Sequence, residues 1–119
     1  METETVAVLN TTRNTVLGEQ IRVAGTSLRR LVGLLGKRGL EPGTGLFIIP
    51  SQAIHTVAMR FAIDVVFVDR NWRVIHVRPA MVPFRMTGLH WKARGVLELP
   101  AGVIAQTSTV VGDQLSFTE

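Results

Sequence analysis

Four residues near the middle of the chain are of types that could build a polar site: His55, Thr56, Arg60 and Asp64. An imidazole oriented by a carboxylate is the logic of an acid–base pair. A guanidinium beside a hydroxyl is instead a clamp for a carboxylate or phosphate. The catalytic reading lacks a nucleophile, since no Gly-x-Ser-x-Gly turn exists and Ser51 follows Pro50 in a loop-forming stretch. A lone His on a strand is most often hydrogen-bonded structure. The anion-binding reading has Arg60 clamp the ligand, Thr56 donate a hydrogen bond and Asp64 orient the guanidinium, with Arg30 and Glu98 as further charges behind them. In an extended segment Thr56 and Arg60 share one face and His55 takes the other, so convergence requires a bend or bulge between positions 56 and 60.

Each charge also has a plainer reading. Asp64 stands between Ile63 and Val65, where an unpaired carboxylate is costly to desolvate. It is expected either to pair with Arg30 or Arg60 or to cap the amides of a turn, ahead of any role as base or metal ligand. Glu98 points away from its neighbours Leu97 and Leu99, toward solvent, an Arg partner or a polar pocket. A metal site would have to gather His55, His76, His90 and Asp64 from separate segments at spacings that match no metal motif, so neither metal nor cofactor is expected. Gly43-Thr44-Gly45 follows a helix pattern and precedes a strand pattern, the reverse of a phosphate loop. Asn10-Thr11-Thr12 matches a glycosylation acceptor by chance.

The charge distribution opens a second class of function. Thirteen basic residues, eleven of them Arg, face nine acidic ones for a net charge of +4. From Arg70 to Leu97 there are six basic residues and no acid, interleaved with Trp72, Phe84 and Trp91. Phosphates and stacked bases would suit such a segment, yet scattered Arg on a solvated face explains it too. The absence of Cys excludes disulfides, thiol catalysis and Cys-ligated metal clusters. The longest apolar runs are far below the roughly 20 residues a membrane-spanning helix needs. The acidic start Met1-Glu2-Thr3-Glu4 carries no secretory pattern, which leads us to expect a cytoplasmic protein.

The elements that must position these residues follow from periodicity. At 119 residues with 46% hydrophobic content the chain suits one domain, 1–119. Thr5–Leu9 and Gln20–Ala24 predict a hairpin around the turn residues 10–14. Leu28, Leu31, Val32 and Leu35 form one apolar stripe of a helix over Leu28–Arg38, closed by Gly39 and Pro42. Leu46–Ile49 and Ile63–Val68 read as buried strands, Ile54–Met59 as a weaker one, and Trp72–Val77 as the return of a hairpin turning at 69–72. Pro79 to Lys92 is a long excursion whose Met81, Phe84, Met86, Leu89 and Trp91 would form an adaptable apolar surface if exposed. Gly95–Leu99 and Asp113–Phe117 close the list of strands, with one helical turn within Val103–Thr109. The fold class is mainly β: a small antiparallel sandwich or open barrel of seven to nine strands with one short amphipathic helix.

Several phrases occur together in order: Arg30-Leu31-Val32-Gly33-Leu34-Leu35, Gly45-Leu46-Phe47, Ile54-His55-Thr56, Met59 to Asp69, and Val96 to Gly102 with Gly112-Asp113 later. They resemble the uncharacterised bacterial and archaeal family called domain of unknown function one-nine-two, over about residues 20–117. The resemblance implies a small, mainly β domain with one short helix and no established reaction. Two positions depart from the family pattern: Ala62 replaces a Pro ahead of Asp64, and Asn71-Trp72 replaces an Asp-Gly turn. The His55-Thr56 and Met59-Arg60 phrases mark a subgroup. These readings favour a non-catalytic binding or accessory module for a small anionic ligand or a protein partner. The alternatives are nucleic-acid binding through 70–97 and a small enzyme using His55 and Asp64.

Overall fold

The structure, a computed structural model, describes residues 4–24, 40–56 and 60–119. Among the described residues seven strands follow in order: β1 (Thr5–Asn10), β2 (Thr15–Ala24), β3 (Thr44–Ile48), β4 (Ile63–Val68), β5 (Val74–Met81), β6 (Gly95–Pro100) and β7 (Leu115–Thr118). A five-residue helix, α1 (Val103–Thr107), lies between β6 and β7. The helix expected over Leu28–Arg38, and with it Arg30, falls outside the described residues, as do positions 57–59 of the strand expected over Ile54–Met59. Of that strand the described part makes a single bridge, His55 to Met86.

The strands form one sheet in the order β5-β4-β6-β3-β2-β1-β7. Every pairing is antiparallel except β2 with β3, which run parallel. The sheet is therefore mixed, and a parallel pair needs a crossover longer than a hairpin turn. The sheet curls into a half-barrel whose two edges meet at one end. There Val74 N–H donates to the Asp113 carbonyl at 2.8 Å and Leu115 N–H to that of Trp72 at 2.9 Å.

Side-chain alternation sorts the core into two layers. Val8, Ile21, Phe47, Val66, Leu97, Leu99 and Leu115 fill the interior of the curl, with Val103 and Ile104 of α1 beside them. Ile48, Ile63, Val65, Phe67, Met81 and Val96 form a second cluster on the outer face of β3 to β6, covered by Ile54 and Ala93. All six residues of β4 are buried, because both of its faces are covered. Gly45 of β3 is required by a close approach: a Cβ there would stand 2.5 Å from the Glu98 carbonyl oxygen.

The β4–β5 turn places Trp72 in a backbone conformation that favours glycine. Asp69 Oδ1 accepts the N–H of Asn71 (2.8 Å) and of Arg73 (3.0 Å), while Trp72 adopts φ 62°. A side chain in that region costs about 1 kcal/mol or more. The Trp72 ring offsets this by packing on Phe117 and Phe47, with centroids 4.9 and 5.7 Å away.

Candidate functional site

The outer face of the sheet is roofed by two strips of chain, residues 50–56 and 82–94. Thr56 joins them. Its N–H donates to Arg85 O (2.8 Å), and its carbonyl accepts the N–H of Phe84 (3.1 Å). Its hydroxyl donates to Val82 O (2.7 Å) and accepts the N–H of Arg85 (2.9 Å). Thr87 works in the same way further along, its Oγ1 accepting Ile54 N–H at 3.1 Å while its own N–H reaches Ile54 O at 2.9 Å. With Thr56 and Thr87 turned inward, large apolar residues on either side of Thr87 in the second strip face outward. Phe84 is 71% exposed, Met86 71%, Leu89 51% and Trp91 77%. Phe84 also has φ 62°, a strained conformation that the Thr56 hydrogen bonds hold in place. Met81, expected to join this surface, is instead 2% exposed, because it ends β5 and packs on the outer face of the sheet.

His55 stands directly opposite Met86 and is exposed, so it lies on the outward side of the same ribbon. Arg60 is exposed as well. Asp64 is not on this side of the sheet. It pairs with Leu99 and faces the interior, whereas Glu98 pairs with Val65 and faces the outer layer. The two carboxylates therefore occupy opposite faces of the sheet. The ligand hydrogen bond expected from Thr56 is spent on the backbone, since its one proton goes to Val82.

Asp64 takes the amide-capping role. Its Oδ1 accepts the N–H of Ala80 (2.8 Å), and its Oδ2 accepts those of Gly102 (3.1 Å) and Ile104 (2.7 Å). The Ala80 amide is available because the β4–β5 register slips between Ile63 and Val65, leaving Ala80 in a bulge at φ 49°. The other two amides lie at the start of α1, whose N-cap Gly102 supplies no side chain. Asp64 is thus the cap that α1 lacks, supplied from another strand. Nothing in this arrangement orients His55, so the small-enzyme alternative built on that pair gains no support from it.

Glu98 is 1% exposed, which corrects the solvent-facing reading. Alternation along β6 does put Glu98 on the face opposite Leu97 and Leu99, but that face is covered, and Glu98 is engaged there rather than free. Sequence reasoning missed a further feature of the same layer. His76 of β5 and His90 of the roof stack with centroids 4.3 Å apart, and His90 also packs on Phe67 at 4.4 Å. Burial, followed by the nearby His90 and Arg78, holds the His76 pKa below its ordinary value. His76 and His90 are fourteen residues apart, so no local signal marks the pair. Among the described residues no cluster of three or more His, Cys, Asp or Glu could hold a metal ion. No helix among them is long and apolar enough to cross a membrane.

Asn10, the residue of the glycosylation match, is fully buried. Its Nδ2 donates to Thr109 Oγ1 (3.1 Å) and Asp113 Oδ2 (2.9 Å), and its Oδ1 accepts Arg13 N–H (3.1 Å).

Residues 8–117 match the family model DUF192, described as "Uncharacterized ACR". The chain belongs to this family. Its DUF192 relatives include a UPF0127 protein of Thermococcus sibiricus, 29% identical over 118 residues that cover 92% of this chain and 73% of that protein. A UPF0127 protein of Pyrococcus furiosus is 28% identical over 115 residues, covering 92% of this chain and 97% of its own length. The fold is also similar to that of a Novosphingobium aromaticivorans protein of unknown function. The TM-score is 0.76 at 22% identity, covering 96% of this chain and 84% of that one.

Proposed function

We propose that this DUF192 domain is a non-catalytic binding module that docks an acidic, apolar-bearing protein segment on the ridge formed by Phe84, Met86, Leu89 and Trp91. The observation that carries this reading is the exposure of four large apolar side chains on a segment whose backbone is tightly hydrogen-bonded. Such a surface loses little entropy on binding, because its shape is already set. Isolated apolar residues on a surface are ordinary, but four within eight positions are a patch, and patches of this kind mark interaction sites.

The charge of the occupant follows from its surroundings. Arg85 and Lys92 are exposed within the ridge segment, Arg60 is exposed four residues beyond Thr56, and the chain from Arg70 to Leu97 carries no acid. A negative partner is drawn to such a surface, and the guanidinium of Arg60 suits a carboxylate. A small anionic ligand would use the same groups without covering the apolar ridge, so a peptide fits more of what is exposed. Thr56 belongs to this site as a positioning residue that fixes the roof, whereas Asp64 acts on the other face of the sheet and is no part of it.

The test is affinity selection from a displayed peptide library, followed by titration of an enriched peptide. Enriched sequences are expected to combine Asp or Glu with aliphatic or aromatic residues. Replacing Phe84 and Met86 together by Ser should weaken binding about tenfold or more, roughly 1.4 kcal/mol or above, with no loss of melting temperature because both side chains are exposed. Peptides that bind the double variant as well as the natural chain would refute the proposal.

A further inference from the structure

We infer that the groove between the β4–β5 turn and the end of the roof binds a nucleoside phosphate unit, its base on Trp91 and its phosphate on Arg70, Lys92 and Arg94. The groove has a volume of about 390 Å³ and is lined by these four residues together with Asp69 and Asn71. This is within the size range of small-molecule sites.

The chemistry of the lining selects the ligand. Lys92 and Arg94 are exposed on either side of the buried Ala93, an alternation that sends both outward together. Arg70 is exposed on the opposing turn. The acid of the groove, Asp69, has Oδ1 taken by two turn amides, so it opposes an anion less than its formal charge implies. Among the described residues the one ion pair is Arg13 with Asp113, which leaves the three groove cations without a carboxylate partner. Beside them the Trp91 ring is 77% exposed, a flat π-surface of the kind on which bases stack for about 1–3 kcal/mol each. A nucleotide uses the cations and the flat ring together within this groove, whereas the docked peptide would meet Trp91 only as one end of a ridge that extends to Phe84.

The walls are already rigid. Trp91 O accepts a hydrogen bond from Gln52 Nε2 at 2.8 Å, and Ala93 N–H reaches His90 O at 3.0 Å. Arg94 N–H donates to Val68 O at 2.8 Å, and Arg94 O accepts Ser51 N–H at 3.1 Å. The other basic residues of the acid-free segment do not join the groove. Arg73 Nη1 donates to Gly112 O at 2.7 Å, Arg85 Nη1 donates to Phe84 O at 3.2 Å, and Arg78 projects from the outer face of β5. The nucleic-acid alternative therefore contracts from a stripe over 70–97 to a site for about one nucleotide.

The base and phosphate can come from a free nucleotide or from a single strand. Titration of the full chain with AMP, ADP, an oligo(dT) octamer and inorganic phosphate, followed by calorimetry and tryptophan emission, separates these sources. At least one base-bearing phosphate should bind and change the emission, with inorganic phosphate at least tenfold weaker. Binding by the octamer alone identifies a single strand, and binding by AMP or ADP identifies the free nucleotide. Lys92→Ala with Arg94→Ala should weaken binding tenfold or more and flatten its salt dependence, and Trp91→Leu should reduce it to the level of phosphate. The Phe84→Ser, Met86→Ser double variant should bind as the natural chain does, which separates this site from the peptide-docking ridge. Equal affinity for inorganic phosphate, or indifference to the Lys92 and Arg94 substitutions, would overturn the inference.

Discussion

Asp64→Ala should lower the stability of the domain by about 3–5 kcal/mol, the range seen when a buried charge loses its partners or a partner group is orphaned. The carboxylate is 1% exposed and accepts three backbone N–H groups. Those amides belong to the β5 bulge and the start of α1, neither of which has another acceptor to turn to once the side chain is gone. For a domain of this length the loss corresponds to a fall in melting temperature of roughly 12–20 °C. Asp64→Asn should fall between the two, since its one remaining carbonyl oxygen can serve only part of the set and its NH2 faces an N–H. Urea denaturation of the three proteins measures the effect. A change below about 1 kcal/mol in Asp64→Ala would mean that the amides find water, and that Asp64 is not the cap of α1.

Asp113 should carry the next largest effect, about 2–4 kcal/mol on replacement by Ala, because its buried carboxylate is the shared acceptor for Asn10, Arg13 and Val110. Its side chain accepts Asn10 Nδ2 (2.9 Å), Arg13 Nε (3.1 Å) and Val110 N–H (3.1 Å), while its carbonyl holds the start of β5. Burial alone would push its pKa up. The hydrogen bonds from Asn10, Arg13 and Val110, with the charge of Arg13, outweigh burial and hold the pKa below the ordinary value of 3.8. A depressed carboxylate pKa contributes stability that is present above the unfolded value and is lost as pH falls through the folded one. Stability of the natural chain should therefore decline below about pH 4. Asp113→Asn should be less stable at pH 7 and show a shallower decline below pH 4, as read by denaturant midpoints across pH 2–7. Parallel curves for the two proteins would show that Asp113 does not titrate between those states.

Particular residues show how far the sequence could be read. Ile63–Val68 was legible to the residue, because five apolar positions interrupted only by Asp64 and ended by Asp69 leave little other choice. The excursion was legible from its prolines and turn residues, though β5 runs on to Met81 by absorbing Pro79 and Ala80 in a bulge that no local pattern announces. β2 begins at Thr15, five residues before the alternation that marked it, because its register with β1 slips twice. The turn at Trp72 was hidden for a different reason. Its positive φ is supported by ring contacts to Phe47 and Phe117, which lie 25 and 45 residues away in the chain.

At the site, the sequence indicated that Asp64 needed partners but not which, since its amides lie 16, 38 and 40 residues away. Thr56 was picked out for its hydroxyl, and that hydroxyl turns out to shape the roof. Burial of Glu98 depended on which face the roof covers, a question of tertiary packing beyond alternation. The apolar ridge was legible as a set of residue types, while its exposure rests on the inward turn of Thr56 and Thr87.

On the function proposed above, a partner docks on the outward side of residues 52–56 and 82–92. Backbone amide shifts of the labelled chain, recorded as a selected acidic peptide is added, test it most directly. The largest perturbations are expected on His55, Phe84, Arg85, Met86, Leu89 and Trp91, with β1 and β7 unaffected. Perturbations centred instead on the depression lined by Val16, Gly18, Pro42, Pro100 and Gln106 would contradict it.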